Sequence, residues 1–346
     1  MKKSLRSKKY CYYCNHIRAQ YQEKRRKKTP KKLQKRINKN IQNLIYESLE
    51  LGSKQVNKII KDVESFSQKR FQINFRKLER FDLGLCLLFT SLLEYFSEKE
   101  NISFGFAQHL MPKNKRIRNM FKQTGIFKIL CGKDIAPQAG KMCILKVSIN
   151  NQEQVKDILL KISQEIVEYS LKLINNNSKQ AKNYLNKIFE ELLLNVKSHA
   201  KTNDMVYLAG EIDKDIIRFA ILDKGIGFAK AIQSRNNIRD KFLDKLEKNY
   251  VRMIFETKKE KDRNYSGEHI RRGNGTRRLE ESIRKCKGAK VQIVSKKDFY
   301  ELVFNQDTLG FDSNSTNIKD HNAIGTLVSF ELPIREFLQG VCNDNI

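Results

Sequence analysis

The sequence has no apolar run of the ~18 residues that a membrane-spanning helix needs. No apolar stretch follows its basic N-terminus, so we expect no secretory signal peptide. Cysteine is sparse, with seven scattered through 346 residues. An odd number of scattered cysteines in a long chain favours reduced thiols over a disulfide framework. These absences together predict a cytoplasmic protein without a membrane span.

Acidic residues are also scarce, with 39 Asp and Glu against 68 Lys and Arg, for a net charge of +29. Residues 1–36 carry fifteen basic side chains and one acidic side chain, Glu23, which gives +14 (15 − 1) in this segment alone. Such a field attracts polyanions, so this basic arm is a candidate for nucleic-acid binding. AT-rich coding, which favours Lys, Asn and Ile, is the alternative explanation of the same excess.

Length and composition predict about two domains with a real core, since 40% of the residues are hydrophobic. Residues 1–45 are expected to be a basic arm, either disordered or helical around Leu33 to Leu44. Residues 46–135 predict a small α/β domain, and residues 136–340 predict a second, larger domain.

A half zinc site is present in the arm, where Cys11 and Cys14 are followed by His16. Tetrahedral zinc needs four ligands, and no second cysteine or histidine pair follows nearby. Two free thiols are therefore the favoured interpretation. A zinc site completed by another chain is the alternative.

The segment 46–135 alternates between strand and helix patterns. Apolar residues at every second position predict strands around 71–75 and 102–106, and continuous or helical patterns predict helices over 83–96 and 114–123. This order, ending in Gly125-Ile-Phe127, resembles a STAS-like domain, the fold of anti-sigma-factor antagonists. In that family a phosphorylatable Ser stands at the turn before the apolar helix, where this chain has Asp82-Leu83-Gly84. A purely scaffolding α/β domain is the alternative.

The segment 136–340 predicts helices and strands around a long irregular insert at 224–274. The predicted strands are 142–147, 206–212, 216–222, 289–294, 299–304 and 326–332, with a polar loop before the last, and the predicted helices are 152–176, 179–200, 240–255 and 276–286.

The helix over 179–200 carries Glu191, Asn195 and His199 at a spacing of four, which places them on one stripe. An Asn oxygen can complete an octahedral Mg²⁺ shell that also holds phosphate oxygens. A carboxylate one turn earlier can polarise a water for attack on a phosphate. Taken alone, the stripe also fits an amphipathic helix that faces water.

Asp223-Lys-Gly225-Ile-Gly227 follows an apolar strand. A carboxylate in this place can accept a hydrogen bond from the adenine amino group, whereas guanine has a carbonyl there. The glycines allow the backbone to approach a base closely. An ordinary turn is the alternative.

Two further glycine motifs follow. Gly273-Asn-Gly275-Thr276 opens a predicted helix, whose free N–H groups would bind phosphates, and Gly325-Thr326 leads into the last predicted strand. A glycine turn before a helix with an exposed basic face is the alternative for the first motif.

In order and approximate spacing, the four segments resemble the ATP-binding domain of the GHKL superfamily, the Bergerat fold of sensor histidine kinases, gyrase B and MutL-type proteins. The resemblance implies an α+β two-layer sandwich that binds ATP and Mg²⁺. It also implies that Glu191 is the catalytic base and Asn195 the Mg²⁺ ligand. The implied cofactor-binding residues are Asn195, Asp223, Gly225, Gly227, Gly273, Gly275, Thr276 and Thr326. The family's usual Leu-Gly after the third motif is replaced here by Thr276 and Arg277.

Three functions remain open at the level of sequence. The first is a Mg²⁺-dependent ATPase or ATP-switched regulator that acts on a protein partner through its N-terminal half. The second is an anti-sigma-type serine/threonine protein kinase, and the third is a nucleotide-gated nucleic-acid-binding protein. The oligomeric state is also open, with a homodimer as one arrangement.

Overall fold

The computed structural model describes residues 42–49, 51–64, 70–106, 108–126, 140–149, 152–176, 179–199, 205–225, 286–295, 298–305, 310–318 and 325–342. Within these residues the chain forms two main β-sheets with helices between and around them. We call residues 42–126 the N-terminal unit and residues 140–342 the C-terminal unit. The prediction of a chain with mixed helices and sheets is confirmed.

The N-terminal unit is built around a three-stranded parallel sheet in the order β1-β3-β5. Parallel neighbours need a crossover connection, and helices supply it here. The unit comprises β1 (Gln42–Ile45), β2 (Ser48–Leu49), α1 (Ser53–Glu64), β3 (Arg70–Asn74), β4 (Arg80–Phe81), α2 (Leu83–Lys99), β5 (Ser103–Phe106) and α3 (Lys115–Gln123), with β2 and β4 as a short parallel pair.

The C-terminal unit is built around a seven-stranded sheet in the order β11-β10-β9-β12-β8-β7-β6, in which all neighbours are antiparallel. Its strands are β6 (Lys141–Ser148), β7 (Met205–Asp213), β8 (Ile216–Asp223), β9 (Lys290–Ser295), β10 (Asp298–Asn305), β11 (Gly310–Asn317) and β12 (Thr326–Pro333). The hairpin between β7 and β8 turns at Lys214, whose φ of 60° is the left-handed conformation that a tight turn requires.

A layer of helices covers one face of this sheet. It consists of α4 (Gln152–Ile162), a π-helical segment (Ser163–Glu168), α5 (Tyr169–Leu173), α6 (Lys179–His199) and α7 (Ile334–Cys342). These helices share one apolar core with the sheet residues that point towards them, such as Phe219, Ile221 and Phe330. We call this side of the sheet the helix face.

The opposite face of the sheet is covered by the N-terminal unit. Helix α2 packs against β7, β8 and β12, and its apolar residues form one core with this second face. The sheet residues in that core are Ile144, Tyr207, Ala209, Ala220, Leu222, Val294, Phe299 and Leu327. The seven-stranded sheet is therefore the middle layer between the helix layer and α2.

Helix α2 is fixed at its first turn. Asp82 caps the helix, because its Oδ1 accepts a hydrogen bond from the Leu85 N–H at 3.0 Å. Two residues on, Gly84 lies so close to β12 that a Cβ there would stand 2.7 Å from the Cβ and Oγ of Ser329. The first turn of α2 is thus packed against the seven-stranded sheet.

Several element predictions are confirmed, and others differ from the structure. The apolar stretch from Leu83 is a helix, and the strands predicted around 71–75, 142–147, 206–212, 216–222, 289–294, 299–304 and 326–332 are present. Residues 42–45, assigned to the basic arm from composition, instead form β1 and pair with β3. The predicted polar loop before β12 contains a full strand, β11, and the helix predicted over 152–176 is interrupted by a π-helical turn.

Among the described residues, no helix combines the length and apolar character needed to cross a bilayer.

Candidate nucleotide site

Helix α6 runs along β8 in the same direction as that strand. Near the start of α6, the Tyr184 ring lies 5.6 Å from the Phe337 ring. Phe337 follows β12, and the end of β12 is paired with the beginning of β8. Five residues later, the Phe189 ring lies 4.7 Å from Phe219 in the middle of β8 and 5.8 Å from Phe330 on β12. The C-terminal half of α6 is therefore directed towards the last residue of β8, Asp223.

Positions 191 and 195 lie on this C-terminal half. They follow Phe189 by two and six residues, which is about 3 and 9 Å along the helix axis. On the strand below, Asp223 follows Phe219 by four residues, which is about 13 Å. Leu192 and Leu193 are buried against the sheet, while Leu194 is 43% exposed. At about 100° per residue, positions 191 and 195 are about 40° apart around the axis, so they share one stripe of the helix.

Asp223 ends β8 on the helix face, because it alternates with Ile221 and Phe219, which lie in the core under α6. Its side chain is buried, with 5% of the residue exposed. Its Oδ1 accepts a hydrogen bond from the Gly225 N–H at 2.6 Å, which closes a turn directly after the strand. A buried carboxylate is thus held in a fixed orientation at the end of β8.

Thr326 lies beside Asp223, because the two residues are partners in the β8–β12 ladder. Thr326 alternates with Val328 and Phe330, so it also lies on the helix face. The residue before it must be glycine: a Cβ on Gly325 would stand 2.7 Å from the carbonyl carbon of Asp223 and from the Gly225 nitrogen. The structure therefore brings together two segments that are about a hundred residues apart in the sequence.

The same register places two further polar residues in this row, and the sequence analysis missed both. Thr326 pairs with Ser295 at the end of β9, and Ser295 pairs with Asp298 at the start of β10. Ser295 and Asp298 are both fully buried, and they alternate with apolar residues of the helix-face core. Their sequence signal was a polar pair in a hairpin, which does not by itself indicate proximity to Asp223.

The remaining predicted site residues are not described in the same detail. The backbone of Glu191 and Asn195 lies in α6. Gly227, Gly273, Gly275 and Thr276 lie outside the described residues, as do Cys11, Cys14 and His16 of the half zinc site. In the described part of the chain, no group of three or more His, Cys, Asp or Glu side chains is arranged to hold a metal ion.

Two cysteines of the described part, Cys86 and Cys286, are free thiols. Burial raises the pKa of Cys86 and of Cys286 to about 12. Both therefore stay protonated at neutral pH and are unsuited to nucleophilic chemistry.

Comparison of the chain with protein-family models, with curated proteins and with solved structures found no match.

Proposed function

We propose that this chain binds ATP with Mg²⁺ at the end of β8, between the sheet and helix α6. One observation carries the proposal: Asp223 and Thr326, from two separate motifs, are ladder partners on the face that α6 covers. A few fixed polar groups among apolar residues are typical of small-molecule binding sites. Three of the residues that the GHKL resemblance names, Asp223, Gly225 and Thr326, lie together at this end of the sheet, which supports the proposal.

The residues present fit an adenine nucleotide. Asp223 would accept a hydrogen bond from the adenine amino group, which selects against guanine. The bare Cα of Gly325 keeps the two backbones in contact, so that Thr326 stays beside the carboxylate. Asn195 would be the protein ligand of Mg²⁺. This ion takes most of its ligands from water and phosphate oxygens, so it does not need a site made entirely of protein groups. Glu191, one turn earlier, would orient a water.

We further propose a Bergerat fold for the C-terminal unit and a STAS-like fold for the N-terminal unit. A sheet with helices on one face supports the first, and a parallel sheet with crossover helices supports the second. ATP supplies a phosphoanhydride whose hydrolysis resets a switch, and the N-terminal unit would pass the state of the site to a protein partner. The close packing of the turn at Asp82 and Gly84 against β12 favours this regulator over a chain that is phosphorylated there.

The binding test is titration of the purified chain with Mg²⁺-ATP by calorimetry. We expect Asp223→Asn to reduce ATP affinity about ten- to a hundredfold, because it replaces a hydrogen bond to a charged group. Asp215→Asn is the matched control, since Asp215 lies at the opposite end of β8 and its side chain is 43% exposed. Equal affinity of Asp223→Asn and the wild type for ATP would remove the adenine anchor.

The fate of the phosphate separates the activities. The chain is incubated with Mg²⁺ and γ-labelled ATP, and free phosphate is separated from labelled protein. We expect free phosphate from the wild type and none from Glu191→Ala, with ATP binding retained. Label on the protein would favour the serine/threonine kinase, and ATP-dependent retention of DNA or RNA at moderate salt would favour the nucleic-acid-binding function.

A further inference from the structure

A charged cluster joins the N-terminal unit to the candidate nucleotide site. Glu94 on α2 places its Oε1 2.7 Å from the Lys146 ammonium on β6. Its Oε2 accepts a hydrogen bond from the Tyr207 hydroxyl on β7 and lies 3.4 Å from the Lys224 ammonium. One carboxylate of the N-terminal unit thus contacts two strands of the C-terminal unit, β6 and β7, and the residue that follows β8.

This cluster is shielded from water. The side chain of Glu94 is 14% exposed and that of Lys224 is 26% exposed, while Tyr207 is fully buried. The Lys224 ammonium also lies 5.0 Å from the centroid of the Tyr207 ring, within the range of a cation–π contact. Partly desolvated pairs of this kind are stronger than exposed ion pairs, which contribute little.

Lys224 lies inside the segment that orients the candidate adenine anchor. It stands between Asp223, whose carboxylate lies on the helix face, and Gly225, whose N–H donates to that carboxylate. The Lys224 side chain contacts Tyr207 and Glu94 on the opposite face. Two successive residues are therefore fixed from opposite sides of the sheet, one by the N-terminal unit.

We propose that Glu94 is a positioning residue of the nucleotide site. By holding Lys224, α2 fixes the backbone from which the Asp223 carboxylate projects, so the N-terminal unit sets the affinity of the site for the nucleotide. Coupling is reciprocal: a bound nucleotide stabilises the contact of α2 with the sheet. This inference rests on the proposed ATP site and adds the route by which that site communicates with the N-terminal unit.

The test compares two neighbouring carboxylates on α2. Glu94→Gln removes the charge that faces Lys224. Glu98→Gln is the matched control one turn later, since Glu98 is 51% exposed and lies 3.9 Å from Lys146. By calorimetry with Mg²⁺-ATP, we expect Glu94→Gln to weaken binding at least about fivefold, the lower end of typical coupling, and Glu98→Gln to leave it unchanged. Lys224→Gln should weaken ATP binding to a similar extent. The double variant should have an ATP affinity no lower than that of the single variant with the lower affinity.

A second measurement separates positioning from a general loss of stability. We expect saturating Mg²⁺-ATP to slow backbone hydrogen exchange in residues 83–99 of the wild type and of Glu98→Gln, but not of Glu94→Gln. If Glu94→Gln fails to fold, Lys224→Gln removes the same contact from the loop side and is measured in its place. Wild-type affinity and wild-type protection in these variants would overturn the positioning role while leaving the ATP site intact. A wild type that binds no ATP would overturn both proposals.

Discussion

At the scale of single residues, Gly325 is the most constrained position of the candidate site. A side chain there would run into the backbone of Asp223 and Gly225, and backbone cannot move aside as the end of a flexible side chain can. The constraint comes from the meeting of two distant segments. It is therefore a tertiary requirement for glycine, in contrast to the local requirement of a turn.

This constraint predicts a large effect for one added methyl group. We expect Gly325→Ala to lower the free energy of unfolding by about 3 kcal/mol or more, at or beyond the upper end of ordinary overpacking. Gly105→Ala is the control, because a Cβ there would stand 3.6 Å from the Phe71 carbonyl oxygen, an ordinary contact. Urea unfolding of both variants measures the difference, and equal stabilities would contradict the close approach.

Asp82 predicts an unusual dependence of stability on pH. Burial raises its pKa to about 6, with the nearby Glu331 acting in the same direction and the Leu85 N–H acting against it. The folded state therefore binds this proton more tightly than the unfolded state does. The protonated carboxyl of Asp82 therefore makes its full contribution to stability below pH ~4. As the pH rises to about 6, this contribution is lost, and the free energy of unfolding falls by up to about 3 kcal/mol.

The variant Asp82→Asn isolates this contribution, since Asn also caps helices well and carries no charge. We expect the variant to lose less stability than the wild type between pH 4 and pH 7, measured by urea unfolding at both values. Asp215→Asn, in the turn between β7 and β8, should behave as the wild type does. The same difference in all three proteins would show that Asp82 is not the group that titrates.

At the scale of elements, the contact of α2 with β12 reverses a general rule. Replacing Gly by Ala inside a helix normally stabilises it by up to about 1 kcal/mol. Gly84→Ala should instead destabilise the chain by about 1–3 kcal/mol, because the new methyl group meets Ser329. Ser329→Gly should relieve that clash, so that the double variant loses less stability than the sum of the losses in the two single variants. Additive costs in this double-mutant cycle would contradict the contact.

The elements that the sequence predicted well have a strong period or a long apolar run. The stretch from Leu83 exceeds the length of a strand, and β8 and β12 are too rich in apolar and β-branched residues to be loops. Strand β11 was missed because Gly-Phe-Asp-Ser-Asn-Ser-Thr-Asn has little apolar character, and its only strand partner in the described sheet is β10. Pairing with a neighbour, rather than local propensity, makes it a strand.

The candidate site was predictable where one motif supplies both a residue and its local geometry. Asp223, Gly225 and Thr326 follow from two short glycine motifs. Ser295 and Asp298 do not, because only the register of β9, β10 and β12 puts them in line with Asp223. Glu94 was equally hidden, since an acidic residue on a helix some 130 positions away carries no sign of its contact with Lys224.

At the scale of the whole molecule, the seven-stranded sheet has apolar residues on both faces. Strand β8 reads Ile-Ile-Arg-Phe-Ala-Ile-Leu-Asp, a nearly continuous apolar run of the kind found in sheets that are covered on both sides. The N-terminal unit is thus part of the core of the C-terminal unit. The predicted boundary at 135–136 lies outside the described residues, and one apolar core contains residues from both sides of it.

This shared core predicts that the C-terminal unit does not stand alone. Residues 136–346 expressed without the N-terminal unit would expose Tyr207, Leu222, Phe299 and Leu327, and we expect aggregation and strong binding of a hydrophobic dye. Residues 38–346, which lack only most of the basic arm, are the control and should remain monodisperse in gel filtration. A monomeric 136–346 fragment that unfolds cooperatively would contradict the shared core.

The position of α2 between two sheets also has a consequence during synthesis. The helix is complete once residue 99 has been made, but the strand that closes its far side, β12, ends at residue 333. At translation rates of roughly 5–20 residues per second, the intervening stretch of about 230 residues takes some 10–50 s. During that interval the nascent chain carries an unshielded apolar helix, so we expect ribosome-associated chaperones to engage it and to release it only after β12 has emerged.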